Sequence, residues 1–544
     1  MKDHTPLLYL LLILITSQFS AKCELLKKPH IIFILADDLG WNDVGFHGLS
    51  QIPTPNIDAL AYSGISLQNY YVQTVCTPSR AALMTGKYPI HTGMQNSVLF
   101  GTEARGLPLS ERLFPQYLKD LGYSNHMIGK WHLGHYKRVY TPLYRGFDSH
   151  LGFWTGHHDY YDHSAFERYK YGLDMRRGLD AAWDLHGQYT TDVFNKEAVK
   201  IVQNHNASKP LFLYMAHAAV HSANPYSPIT APDGVVDSFR SIENYQRRRF
   251  AAVLSKLDEA VGDLIDALSR KDMLKDCLVI FSTDNGGAPE VHDNAGSNWP
   301  LRGVKDTLFE GGVRGTGLIW SPLLKKQQRI SQQKMHMTDW MPTLLSAIGA
   351  NISLENIDGL DLWQALSEDE ASPRTQILLN IDDVYRQAAV IDGKYKLLKG
   401  NTFLNQWGNW YGPAGRNESY NIQRVLNSKS GKALAKLGNT PTEEKIKELR
   451  NEADVKCVKP DIFTPCKILE GPCLFDLEAD PCEYNNLAES EPELLHKMLK
   501  LLDKYNATAV PRGNLPDDPR SDPSLWDHTW TNFGDFVDLP TTAK

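Results

Sequence analysis

The chain has 544 residues, with 57 Lys plus Arg against 64 Asp plus Glu and a formal net charge of −7. That balance excludes a protein that lives by electrostatic grip on nucleic acid, which needs a basic face. With 42% hydrophobic and 22% charged residues, wholesale disorder is excluded as well. The length allows two to four domains, or one large α/β domain with a smaller companion.

Lys2 precedes an apolar run from Leu7 to Ile15, which gives way to small and polar residues ending at Ser20 and Ala21. This reads as a secretory signal peptide over 1–22 rather than an anchor helix, because the run is short against about 30 Å of hydrocarbon. No later stretch reaches about 18 apolar residues, so a soluble mature chain without stable membrane insertion is expected. Sequons at Asn206, Asn351, Asn417 and Asn506 are coherent with export, to the exterior or the lysosome.

Apolar runs of strand length follow at His30–Ala36, Leu211–Ala216, Cys277–Ser282 and Thr316–Trp320. Continuous apolarity marks strands covered on both faces, as in a parallel sheet. Helices are expected between them at Pro55–Ser63, Thr77–Thr85, Glu111–Leu121 and Asp192–His205. The clearest is Tyr245–Arg270, where Phe250, Val253, Leu257, Val261, Leu264 and Leu268 recur at spacings of three and four. After about residue 375 the texture changes. Asp392-Gly393 between two apolar runs signals a hairpin, Lys429–Ala453 is charged enough for a solvated helix or a mobile insertion, and Glu491–Tyr505 closes as a helix. The expected fold class is α/β. A large domain over 23–375 carries a mostly parallel sheet sandwiched by helices. A smaller C-terminal α+β subdomain over 376–544 has an antiparallel sheet, a polar insertion and a tail.

Seven cysteines suit an oxidising compartment. Cys23 lies at the signal boundary and Cys277 reads as a buried thiol. Cys457, Cys466, Cys473 and Cys482 allow three pairings. Local bridges, Cys457 to Cys466 and Cys473 to Cys482, are the expectation. A zinc site is the competing reading, disfavoured because no histidine interleaves.

Asp37-Asp38 sits past the first strand and Asp284-Asn285 past the third. In an open parallel sheet both emerge at the carboxyl edge, where ligands bind. Three carboxylates and an amide oxygen there make a hard oxygen cage for Ca²⁺ or Mg²⁺; either pair alone is ordinarily a turn or a helix cap. Cys76-Thr77-Pro78-Ser79-Arg80 opens a helix whose N-terminus should depress a thiol pKa. On chemistry alone Cys76 is a thiolate nucleophile with Arg80 one turn away.

Cys76-Thr77-Pro78-Ser79-Arg80, followed by Met84-Thr85-Gly86, resembles the C-x-P-S-R modification motif of type I sulfatases. Gly122-Tyr123 through Gly129-Lys130-Trp131-His132-Leu133-Gly134 is similar to the family's second motif. Ala36-Asp37-Asp38-Leu39-Gly40, Ser282 to Gly287 and Phe309 to Arg314 are also family-like. So are Leu474-Phe475-Asp476 and Asp480-Pro481. The whole most resembles the arylsulfatase B, I and J branch.

The resemblance implies an alkaline-phosphatase-like sheet and a sulfuric ester hydrolase. It implies that Cys76 is oxidised to formylglycine by the formylglycine-generating enzyme. It places one Ca²⁺ on Asp37, Asp38, Asp284 and Asn285, with the modified Cys76 on or near the ion. Arg80 would hold the formylglycine hydrate, and Lys130 and His132 come from the second motif. His221 would meet the leaving-group oxygen and Lys305 the sulfate. His132 would take the proton that lets the bound sulfate depart. The implied substrate is a sulfated sugar such as N-acetylgalactosamine 4-sulfate in glycosaminoglycans. Alternatives are a sulfatase for small dietary esters such as glucosinolates, a phosphoester or phosphonate hydrolase, and an inactive sulfatase-fold binding protein. Four residues depart from the family pattern: Lys87, Asn125, and Ser222-Ala223 after His221. The last puts substrate choice in doubt, so specificity is expected near Ser222 to Pro225 and in the aromatic loop Trp407 to Gly412.

Overall fold

The computed structural model describes residues 28–400 and 402–536. The expected signal segment 1–22 and Cys23 lie outside the described residues. The strands are β1 (His30–Ala36), β2 (Ile65–Tyr71), β3 (Ser124–Lys130), β4 (Ser149–Phe153), β5 (Ser164–Glu167), β6 (Lys170–Leu173), β7 (Arg176–Arg177), β8 (Asp180–Ala181), β9 (Leu211–Ala216), β10 (Cys277–Thr283), β11 (Gly317–Trp320), β12 (Arg329–His336), β13 (Gln376–Asp382), β14 (Gln387–Asp392), β15 (Tyr395–Lys399) and β16 (Cys473–Asp476). Ten of them form one sheet in the order β12-β2-β11-β10-β1-β9-β3-β4-β7-β8. The central run from β10 to β4 is parallel throughout.

Both faces of β1 are buried, which is why its sequence is continuously apolar. Ile32 and Ile34 pack toward the helix Tyr245–Arg270, whose Leu257 and Val261 belong to the same core. Ile31, Phe33 and Leu35 face the opposite layer, where Phe33 meets Trp340 edge-on at 5.8 Å. The same reading misleads at Thr316–Trp320. β11 is fully buried, yet it runs antiparallel to both β10 and β2. Continuous apolarity reports burial on two faces, not strand direction.

The smaller sheet has the order β13-β14-β15-β16, antiparallel throughout. Its hairpin β14–β15 turns at Gly393-Lys394, one residue later than the Asp392-Gly393 signal suggests, with Gly393 at φ +59°. The segment Lys429–Ala453 is helical with a solvated outer face, as one of the two expectations had it, but it also packs inward. It forms two helices, Lys429–Ala435 and Glu443–Glu452, that bury Ala433, Leu434, Ile446 and Leu449 in the core of the large domain. The charges occupy their outer faces, which hid the apolar stripe.

The disulfides correct the expected pairing: the bonds are Cys457–Cys482 and Cys466–Cys473, with Cα separations of 5.8 and 5.6 Å. Strand β16 and the turn after it carry Cys482 back to a small cluster of Trp41, Leu301 and Val455, where Cys457 lies. Nesting therefore follows the path of the chain rather than sequence proximity. Cys277 is buried as expected, its thiol donating to Met273 O at 3.3 Å. The tail returns across the large domain. Leu173 N donates to His528 O at 2.8 Å, and Trp530, fully buried, donates through Nε1 to Ala165 O at 3.1 Å. Asn206, Asn351, Asn417 and Asn506 are all exposed. Among the described residues no helix is long and apolar enough to cross a membrane.

Candidate active site

Strand register brings the site together. Ala36 pairs with Thr283, and Leu35 and Gly129 both pair with Ala216, so β1, β10, β9 and β3 end level. Asp37-Asp38, Asp284-Asn285 and Lys130 leave that edge side by side, as expected of ligand positions in such sheets. Gly129 permits the approach: a Cβ there would lie 1.8 Å from Ala216 O. Asp38 and His132 adopt left-handed backbone, at φ +59° and +57°. Such conformations are costly without glycine and cluster at functional sites.

The helix Cys76–Thr85 delivers Cys76 from its first turn and Arg80 from its second. Cys76 Sγ lies 3.1 Å from Lys130 Nζ and 3.6 Å from Asp37 Oδ1. Lys130 also pairs with Asp37 at 2.6 Å. Arg80 holds Asp284 at 2.8 Å through Nη2 and donates to Lys130 O at 2.9 Å through Nη1. Ser79 Oγ donates to the Asp284 carbonyl. Lys305 Nζ sits 2.8 Å from Asp38 and 3.0 Å from His221 Nε2. Asn285 donates through Nδ2 to Asp38 at 2.7 Å. All ten expected site residues thus occupy one centre, except that His132 is turned to its rim and donates through Nε2 to Leu99 O at 2.9 Å.

Electrostatics follow from burial. Asp38 is desolvated, yet Lys305 and His221 hold its carboxyl below the usual range. Burial and the neighbouring Asp37 push Asp284 up to about 6 against the pull of Arg80. Burial and Lys305 keep His221 neutral, and burial and Lys130 do the same for His132. The expected thiolate at Cys76 is corrected here. Burial pushes the thiol up to about 12, outweighing Lys130 and Lys305. Desolvation of the anion exceeds what the helix N-terminus supplies.

Donor atoms of Asp37, Asp38, Cys76 and His221 lie within 4.8 Å of one another, making a candidate metal centre. The residues fit a hard divalent cation. Three carboxylates converge, and Asn285 Oδ1 is buried with no partner among the described residues. A buried acceptor without a partner, placed beside converging carboxylates, is a position that a cation can occupy. Arg80, Lys130 and Lys305 offset the three carboxylates, so a bound dication would leave the centre positive and receptive to an anion.

This centre floors a cavity of about 510 Å³, within the range of small-ligand sites. Ser222, Ala223 and Pro225 line it, as expected. The Trp407–Gly412 loop does not. Trp410 stacks on Tyr484 at 4.5 Å and donates to Cys482 O, and Asn409 O accepts from Gly303 N, so the loop braces the wall from behind. The sequence reading missed Phe100, His157, Glu167 and Arg168, which also line the cavity. They lie outside the motifs, and nothing in their local pattern marks them. Glu167 fastens this side, accepting from Gly156 N at 2.7 Å and Gly101 N at 2.5 Å.

Residues 29–350 match the Sulfatase family model. Arylsulfatase J of Mus musculus is 39% identical over 527 residues, covering 93% of this chain and 80% of that protein. N-acetylgalactosamine-6-sulfatase of Mus musculus is 32% identical over 406 residues, covering 70% and 74%. The crystal structure of Ps i-CgsB in complex with k-i-k-neocarrahexaose aligns with a TM-score of 0.70 at 26% identity, covering 90% of this chain and 95% of that one. The chain belongs to the sulfatase family. It is a sulfuric ester hydrolase of the type I class.

Proposed function

We propose that the protein hydrolyses sulfate monoesters of sugars, such as N-acetylgalactosamine 4-sulfate in glycosaminoglycans, through a formylglycine at residue 76 and a bound Ca²⁺. It would act after passage through the secretory pathway, outside the cell or in the lysosome. The observation that carries this is the position of Cys76 Sγ, 3.1 Å from an ammonium, at the floor of a cavity beside three carboxylates. Similarity to N-acetylgalactosamine-6-sulfatase and to a sulfatase-fold structure holding a carbohydrate supports the sugar substrate.

Asp37, Asp38, Asp284 and Asn285 would hold the Ca²⁺, which supplies fixed positive charge for the sulfuryl oxygens. Formylglycine, as its hydrate, supplies two hydroxyls on one carbon, one to accept the sulfuryl group and one to release it. Lys130 and Lys305 orient the sulfuryl group and meet the charge that develops on its oxygens. Arg80 fixes Asp284, a carboxylate of the centre able to accept the nucleophile's proton. Lys305 holds a proton against the neutral His221 Nε2, and this pair delivers it to the departing oxygen. His132 donates through Nε2 to Leu99 O, which leaves Nδ1 as a buried lone pair able to accept a proton in the release step.

A panel of sulfated disaccharides, aryl sulfates and glucosinolates, with mass analysis of the Cys76 peptide, tests the reading. Turnover of the saccharides with the aldehyde at residue 76 supports it. Turnover of glucosinolates alone replaces it with the small-ester reading. No turnover with an intact thiol makes the protein a binding protein.

A further inference from the structure

The catalytic centre can grip only the sulfuryl group common to every sulfate ester, so substrate choice needs a second point of contact. The cavity offers one in the hairpin β5–β6. Glu167 pairs with Lys170, leaving Arg168 and Tyr169 as a two-residue turn at φ +49° and +63°. Such turns ordinarily take Asn-Gly, because both positions are left-handed. A cationic and an aromatic residue hold this one instead, and strain of this kind persists where the surroundings over-determine it.

The surroundings do so here. The buried Glu167 carboxylate ties the hairpin to Gly101 and Gly156, while Lys170 pairs with Asp522 of the tail at 2.6 Å. The fixed turn sets the Arg168 guanidinium 4.0 Å above the Phe100 ring, and both residues line the cavity. Arg80, Lys130 and Lys305 are each paired with carboxylates of the centre. Arg168 pairs with no carboxylate among the described residues. A guanidinium lying on a ring keeps its N–H edge open for a two-pronged bond to a planar or tetrahedral oxyanion.

We propose that Arg168 is a specificity-determining residue that receives an oxyanion, a carboxylate or a second sulfate, on the sugar next to the one that carries the scissile ester. The substrate class is then a polysaccharide with a second anionic group beside the scissile ester rather than a small ester whose only anion is that sulfate. The inference rests on the sulfatase reading and names the substrate class of that same site.

The test uses three matched trisaccharides that share one sulfated terminal sugar. The next unit is a uronate, its methyl ester, or a neutral sugar with a second sulfate. For the natural chain, kcat/KM on at least one of the two anionic substrates should exceed that on the methyl ester by about tenfold, chiefly through KM. Which of the two gains identifies the source of the oxyanion. Arg168→Ala should bring the ratio to about one, and Arg168→Lys should restore part of it, keeping charge but not the fork. A ratio that Arg168→Ala leaves unchanged, or a natural chain without preference for the anion, overturns the proposal. If the natural chain cleaves neither these nor an aryl sulfate, the sulfatase reading has failed. Calorimetric binding of the uronate and its ester to the natural chain and to Arg168→Ala then decides the role of Arg168 by the same ratio.

Discussion

Lys396 and Glu310, both without solvent exposure, form an ion pair of 2.8 Å that joins the small sheet to the wall of the reaction centre. Glu483 meets the same ammonium at 2.8 Å, and Tyr71 donates to Glu310 at 3.0 Å. Glu310 opens the short helix Glu310–Val313, whose Gly312 O accepts from Gly286 N at 2.9 Å, next to Asn285. A Cβ on Gly286 would lie 1.9 Å from Gly311 O, so this wall has no slack. Lys396→Met leaves two buried carboxylates facing each other. Removing one partner of a buried ion network costs about 3–5 kcal/mol. Denaturant unfolding of the variant should show a loss of that size, and unchanged stability would refute the role.

Cys76 should be found as formylglycine in protein made in a eukaryotic secretory pathway. Mass analysis of active enzyme reads this directly, and a full complement of intact thiol would be the contrary result. Cys76→Ala should abolish nearly all turnover while thermal unfolding shifts little, since a small side chain in a close-packed site is replaced by a slightly smaller one.

Calcium should stabilise the chain. A ligand that binds only the folded form adds about 2.7 kcal/mol at a hundred times its Kd. Asn285→Ala removes the orphaned amide oxygen and Asp38→Asn a carboxylate charge, so both should shrink the calcium-dependent rise in Tm together with turnover. A Tm independent of calcium in the natural chain would count against the centre.

His217 gives a pH prediction. It is buried, its ring nitrogens have no partner among the described residues, and burial pushes its pKa down to about 3. The folded value lies below the unfolded value of about 6.5, so the unfolded chain binds the proton first. Its contribution to stability is fully present above pH 6.5 and is lost as pH falls toward 3, by about 1.4 kcal/mol per pH unit. His217→Leu should lose less stability than the natural chain between pH 7 and 5. An equal loss would show that His217 is not a source of the acid sensitivity.

Ser222 and Ala223 line the cavity just after His221. Replacing them with Glu and Pro should change relative kcat/KM among sulfated sugars more than it changes kcat/KM on a small aryl sulfate. Equal losses on every substrate would mean that these positions only support the fold.

The centre was legible because its chemistry is written in contiguous motifs at strand ends. Asp37-Asp38, Cys76 to Arg80 and Asp284-Asn285 each sit at a boundary that hydrophobic patterning finds. Strand β3 was not legible. Asn125 and His126 interrupt its apolarity, and Asn125 is accommodated because Nδ2 donates to Pro115 O, in the first turn of the helix Phe114–Asp120, and to Gly146 O. The disulfide pairing was out of reach for a similar reason, since the path after β16 decides it. Phe100 and Arg168 meet through an exposed turn and a loop 68 positions apart, which no periodicity records.

Every residue from Cys76 through Thr85 is buried in the folded chain. The wall above Cys76 is completed by the hairpin β5–β6, which is itself held by His528 and Trp530 near the end of the sequence. During synthesis, then, residue 76 emerges some 450 positions before the segment that closes over it. An enzyme that altered Cys76 would find it accessible before that segment packs over it, when the residues offered for recognition are those of the local sequence around Pro78 and Arg80. The order in which the ribosome delivers the chain thereby becomes part of how the site is made.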